Sequence, residues 1–153
     1  MSTTANKDDS LTMEIYKAFS RNELERLDAV IHPDVLINSP AGRDIVGRDS
    51  LKGWLTAFLA AFRPRIDLID HFVAGDRALV TVNLHWKHDG DAFFGIEPTG
   101  KGGTSIESFQ LRVKDGLVTH FDVADHSLDL AIYLHEQGME MPKEVTVPAL
   151  VEG

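Results

Sequence analysis

The spacing of apolar residues changes near Ile66, and this change limits the fold more than any other feature of the sequence. Before Ile66, apolar residues recur three and four positions apart, which is typical of one face of a helix. After Ile66 they alternate with polar residues, and side chains two apart on a strand share a face. Helices followed by a run of antiparallel strands predict an α+β fold.

These two patterns assign most of the chain to segments. We expect Asp9 or Ser10, Asp49 or Ser50, and Ser127 to cap helices. A curved sheet with helices across its concave side encloses a pocket, and such pockets are common ligand sites. The predicted helices span residues 11–19, 23–31, 51–62 and 128–137, the strands span 34–39, 66–73, 78–87, 104–114 and 117–123, and a loop spans 42–47.

Length and charge restrict the class of protein. The 153 residues predict one domain over 10–138, with tails at 1–9 and 139–153. A formal net charge of -9 argues against binding to nucleic acid and to an anionic membrane surface. The chain has no cysteine, which removes disulfides and thiolate chemistry. With no signal peptide and no apolar run of about 18 residues, we expect a cytoplasmic protein.

The strand predicted at 117–123 carries the strongest indication of chemistry. Its alternation places His120 and Asp122 on one face, which we expect to point toward an apolar interior. A carboxylate and an imidazole side by side in such a place are suited to moving protons. Asp122 can equally be a structural carboxylate. Asp125, just before the last helix, has the alternative of a helix N-terminal carboxylate.

Metal and phosphate sites are not predicted. His85 and His88 are three positions apart on a strand and face opposite sides, so they do not form a ligand pair. The glycine-rich run 100–103 joins two strands instead of opening a helix, so it is expected to be a turn.

Three segments resemble the SnoaL-like polyketide cyclase family. The first is the run at 90–101, with its Gly-Ile-Glu-Pro-Thr-Gly segment, and the second is the run at 108–116. The third is the His-Phe-Asp pattern at 120–122 with the leucine-rich helix after it. One position departs from the family, which commonly has Trp where this chain has Phe121. That difference alters the shape of the pocket more than its chemistry.

The resemblance implies the cone-shaped fold shared by nuclear transport factor 2, ketosteroid isomerase and scytalone dehydratase. It implies a cofactor-free enzyme that acts on a hydrophobic carbonyl compound, polycyclic compounds included, by aldol ring closure. By the family motif Asp122 is the general acid/base, with Asp125 as second choice and His120 as a neighbour or donor. The residues expected to bind substrate are His85, Trp86, Asn38, Gln110, Trp54, Phe58 and Phe94, and whether His85 or Trp86 faces the cavity is open.

Two other functions stay open at this point. The same cone can serve as a non-catalytic module that binds a small molecule or dimerises, and a ring hydroxylase or isomerase is the third possibility. We also expect a homodimer or higher homo-oligomer through the outer face of the sheet. The apolar tail residues Val145, Val147, Leu150 and Val151 are expected to extend that contact.

Overall fold

The computed structural model describes residues 7–39 and 42–139 of the chain. The helices are α1 (Lys7–Ser20), α2 (Arg48–Phe62) and α3 (Asp129–Glu136), with a short 3-10 helix at Leu24–Ala29. The strands are β1 (Ile31–Ser39), β2 (Gly42–Val46), β3 (Arg65–Ala74), β4 (Arg77–Lys87), β5 (Gly102–Lys114) and β6 (Leu117–Asp125). The predicted α+β class is confirmed.

The six strands form one sheet in the order β2-β1-β6-β5-β4-β3. All neighbours are antiparallel except β1 and β6, which are parallel, so the sheet is mixed. A tight turn joins β5 to β6, with positive φ angles at Asp115 (54°) and Gly116 (78°). Two consecutive positive φ angles match the right-handed twist of the strands on either side.

Alternation along the central strands decides what is buried. On β4, Val80, Val82 and Leu84 are fully buried on the face that packs against the helices. Trp86 continues this inward series at 5% exposure, and His85 faces outward. Of these two residues Trp86 is therefore the one on the inward face.

Some predicted segments differ from the structure. Residues 42–47, predicted as a loop, contain β2, because Ile45 pairs with Ile37 of β1 and adds an edge strand. The helix predicted over 23–31 is only a 3-10 turn, and Ile31 already belongs to β1. Neither α2 nor α3 begins with a side-chain cap: the residues at their N-caps are Gly47 and Leu128.

Other predictions fall outside the described residues. These include most of both predicted tails and the contact expected from Val145, Val147, Leu150 and Val151. The cap predicted at Asp9 or Ser10 is wrong, because α1 already begins at Lys7 and both residues lie within it. No helix in the described ranges is long and apolar enough to cross a membrane.

Candidate active site

A cavity of about 100 Å³ lies between the sheet and the three helices. Its wall is mostly apolar, and four polar residues reach it: Ser39, Ser50, Glu107 and Asp125. No Lys, Arg or His is among the described residues that line it. Six aromatic rings line the cavity, from Phe19, Trp54, Phe58, Phe93, Phe109 and Phe121.

Glu107 is the buried carboxyl of this cavity. It lies on β5 between Ser105 and Phe109, whose side chains share its inward face, and it is only 9% exposed. Burial raises its pKa to about 8, and the negative charges of Asp125 and Asp129 add to that effect. Among the described residues its carboxyl has no hydrogen-bond partner. At neutral pH Glu107 is therefore a protonated, neutral acid.

Asp125 stands directly opposite Glu107 in the β5–β6 register. Its Oδ1 accepts hydrogen bonds from the backbone N–H of Ser127 and of Leu128 and from the Ser127 hydroxyl, each at 3.0 Å. A carboxylate that binds amides two and three residues ahead is typical of an Asx turn, which here carries the chain from β6 into α3. The two amides fix the orientation of the Asp125 carboxylate at the cavity wall.

A third carboxylate, Asp129, lies behind this pair in the first turn of α3. Its Oδ1 accepts hydrogen bonds from the hydroxyls of Ser105 and Ser127, and the Trp86 indole N–H donates to Ser105. The Ser127 hydroxyl has one proton and two carboxylate oxygens within reach, on Asp125 at 3.0 Å and on Asp129 at 2.7 Å. It therefore donates to only one carboxylate at a time.

The sequence-based orientation of Asp122 and His120 is wrong. Phe121 is buried and lines the cavity with Val123, so Asp122 between them and His120 just before Phe121 point to the other face of the sheet. Asp122 is exposed, and its Oδ1 accepts a hydrogen bond from Asn38 Nδ2 at 3.4 Å. His120 is half-buried and lies 3.0 Å from the Thr119 hydroxyl through Nδ1. Of the three predicted catalytic residues, only Asp125 reaches the cavity.

Of the residues expected to bind substrate, only some line the cavity. Trp54 and Phe58 line the cavity. Phe94 is 60% exposed and stacks on Trp54 with ring centroids 5.1 Å apart, outside the cavity lining. Trp86 is buried in the core and is not among the described residues that line the cavity, and its indole N–H donates to Ser105.

The remaining three lie on the outer face. Asn38 pairs with Asp122, and Gln110 is exposed opposite Asp122 in the strand register. His85 is half-buried, with Nε2 3.1 Å from Asp67 Oδ2. Their expected place in the cavity is wrong because each alternates with an inward-facing neighbour on its strand.

Sequence reasoning missed Glu107, although the sequence holds a signal for it. Ser105, Glu107, Phe109 and Leu111 are spaced two apart, and the two apolar residues mark the buried face. A glutamate in register with them is a carboxyl on that face. Among the described residues, no group of three or more His, Asp or Glu side chains is arranged to hold a metal ion.

Comparisons with known proteins agree with this architecture. A family model for a SnoaL-like domain matches residues 13–121. The chain is similar to the solved structure of a candidate SnoaL-like polyketide cyclase from Jannaschia sp. CCS1. The TM-score is 0.71 at 14% identity, over 90% of this chain and 99% of that one.

Two further solved structures are similar. AclR, a candidate hydroxylase from Streptomyces galilaeus, gives a TM-score of 0.66 at 21% identity, over 83% of each chain. TerC, co-crystallised with polyporic acid, gives 0.65 at 17% identity, over 86% of this chain and 98% of that one. At these identities the likenesses establish the fold alone. A comparison with curated protein sequences finds no match.

Proposed function

The chain belongs to the SnoaL-like domain family, and from this premise we propose that it is a cofactor-independent enzyme acting on a hydrophobic carbonyl compound. Asp125 is the residue that transfers the proton, and Glu107 is the acid that donates a hydrogen bond to the developing negative charge. The reaction class is that of a cyclase or isomerase, of which aldol ring closure is the form that the family resemblance favours. The polyketide cyclase and hydroxylase names of similar structures support a reaction of this kind.

One observation carries the proposal: two carboxyl groups face each other across β5 and β6 in an apolar cavity, and their surroundings differ. Asp125 is held by the backbone amides of Ser127 and Leu128, whereas Glu107 has no donor among the described residues. Paired carboxyls in unequal environments divide the roles of base and acid. Asp125 is the base, and neutral Glu107 is the acid.

The reaction then follows from these two states. The Asp125 carboxylate removes a proton from the carbon next to a substrate carbonyl. The Glu107 carboxylic acid donates a hydrogen bond to the oxygen that becomes negative, and this stabilises the enolate. The enolate carbon attacks a second carbonyl of the same molecule and closes a ring. Asp125 returns its proton to the new alkoxide, so both carboxyls end in their starting states.

The cavity volume limits which part of the substrate is enclosed. A cavity of roughly 150 Å³ is enough for benzene, and this one measures about 100 Å³. The enclosed reacting part is therefore no larger than a single ring. In a polycyclic substrate the other rings extend past the cavity, where the exposed ring of Phe94 on Trp54 offers a stacking surface.

A small-molecule-binding module without turnover is the second candidate. The hydrogen bonds of Asp125 favour it, because an Asx turn at the start of α3 gives this residue a structural role of its own. The co-crystal of TerC with polyporic acid supports a small-molecule ligand under either function.

We also propose that the protein is cytoplasmic and forms homodimers through the outer face of the sheet. Leu79 and Ile106 contribute apolar surface there, with Ile106 39% exposed. The alternating residues Thr81, Asn83 and His85 make the face more polar than the sequence pattern indicated. Sedimentation of a stable monomer would contradict this assignment.

Hydrogen–deuterium exchange at carbon tests the catalytic proposal without the true substrate. Single-ring ketones and 1,3-diketones are incubated in D₂O, and loss of the α-proton signal is followed by NMR. We expect the protein to accelerate exchange, Asp125→Asn to abolish the acceleration, and Glu107→Gln to reduce it by about 10²-fold or more. Asp122→Asn is the matched control on the same strand and should exchange like the native protein. Equal acceleration by the native protein and Asp125→Asn rules out the assigned base, and no acceleration by the native protein favours the binding module.

A further inference from the structure

We propose that the cavity also takes hydrophobic amines, whose ammonium group seats between Glu107 and Asp125 and competes with the carbonyl substrate. This inference rests on the proposed function only in taking the same cavity as the ligand site. It concerns the charge of the ligands that the cavity binds, which neither the fold nor the reaction class specifies.

Charge inside the cavity is of one sign. Two carboxyls line it, Asp129 stands behind them, and no cationic side chain is among the described lining residues. The groups facing Glu107 from the other elements are Asp125 on β6 and Asp129 on α3, and the lining residues of α1 and α2 carry no titratable group. An anionic ligand would meet only like charge at low dielectric, whereas a cation gains two partners.

The hydrogen-bonding capacity of Glu107 is also unused. Its carboxyl is buried at 9% exposure, opens into the cavity and has no hydrogen-bond partner among the described residues. An ammonium group supplies three N–H donors, enough to serve Glu107 and Asp125 together.

The aromatic wall provides the second half of the recognition. Rings from the helices and from the sheet, among them Phe58 and Phe109, surround the same space as the carboxyls. Aromatic faces attract a cation, and desolvated pairs of this kind contribute more than exposed ones. The apolar part of the amine gains burial against the same rings.

Binding of a cation should release a proton. At pH 7 Glu107 is protonated because its pKa is about 8. An ammonium group within about 4–6 Å favours the ionised carboxylate, so Glu107 gives its proton to solvent as the amine enters. A neutral ligand of the same shape leaves the proton in place. Proton release therefore distinguishes seating at Glu107 from nonspecific apolar binding.

Calorimetry with three single-ring probes tests the inference on the intact protein. Benzylamine, benzyl alcohol and benzoate have nearly the same shape and carry a positive, zero and negative charge at pH 7. We expect benzylamine to bind at least tenfold more tightly than benzyl alcohol and benzoate to bind most weakly. Titration in buffers of different ionisation enthalpy should show release of most of one proton for benzylamine and none for the alcohol.

The variants separate the roles of the two carboxyls. Glu107→Gln should abolish proton release while benzylamine still binds, and Asp125→Asn should weaken benzylamine at least tenfold more than benzyl alcohol. Asp122→Asn should match the native protein. Two results for the native protein would overturn the inference: equal affinity for benzylamine and benzyl alcohol, or binding of benzylamine without proton release. Either result leaves the carbon-exchange assay unaffected, and a failure of that assay leaves the amine titration interpretable.

Discussion

The raised pKa of Glu107 predicts an unusual dependence of stability on pH. The carboxyl titrates at about 8 in the folded protein, against an ordinary value of 4.5. Folding therefore favours the protonated form. The stabilisation of the fold by protonated Glu107 is fully present below about pH 4.5 and is lost as the pH rises toward 8. Above about pH 8 this part of the unfolding free energy changes little. Since one pKa unit corresponds to about 1.36 kcal/mol, the complete loss is on the order of 5 kcal/mol.

Glu107→Gln isolates this effect, because the amide has nearly the same shape and does not titrate. Between about pH 5 and pH 8, the native protein should lose roughly 3–4 kcal/mol of unfolding free energy relative to the Gln variant. Denaturant unfolding at several pH values measures the difference, and groups that titrate in both proteins cancel. Asp122→Asn, exposed on β6, should give a curve parallel to the native one. If the Gln variant also gives a parallel curve, Glu107 titrates normally and its role as a neutral acid is refuted.

The other predictions concern the groups around this pair. Gly103→Ala should destabilise the fold by about 1–3 kcal/mol in thermal or denaturant unfolding. The reason is that a Cβ there would lie 2.6 Å from Asp129 Oδ2 and 3.0 Å from Trp86 Cζ2. Gly53→Ala should instead stabilise the fold by about 0.5–1 kcal/mol, because a Cβ at this position within α2 meets open space. Equal changes in unfolding free energy at the two glycines would contradict the packing assigned to Gly103. Asp129→Asn should lower the pKa of Glu107 from about 8 but keep it above its ordinary value, because burial and the charge of Asp125 remain. An NMR titration of the Glu107 carboxyl measures this pKa. An unchanged titration midpoint would exclude the influence of Asp129.

Hydrophobic periodicity predicted the helices and strands better than it predicted which face of each strand is buried. The change of period at Ile66 correctly separates α2 from the strands that follow. Edge strand β2 was missed because its five residues show little alternation and gain order only by pairing with β1. Periodicity places His120 and Asp122 together but does not state which face is inside. The larger apolar side chain, Phe121, decides that, and the sequence contained this information.

Other parts of the site depend on three-dimensional pairing that local sequence does not encode. Glu107 and Asp125 are 18 positions apart and meet because β5 and β6 adopt one register out of several. Asp129 reaches Ser105 only because α3 folds back against β5. The size of the cavity depends on side chains from all three helices, which no spacing rule specifies.

The division of labour between the two carboxyls follows from where each lies in the fold. Asp125 is at the end of β6, where the chain turns and the amides of Ser127 and Leu128 are free to donate to it. Glu107 lies inside β5, paired with β4 on one side and β6 on the other, and the amide of the preceding Ile106 donates to the Ser127 hydroxyl. Burial therefore acts on Glu107 without compensation and keeps it protonated. The base therefore lies at the end of one strand and the acid lies within the adjacent strand. The desolvation that keeps Glu107 protonated is the same effect that makes the stability of the fold decrease as the pH rises.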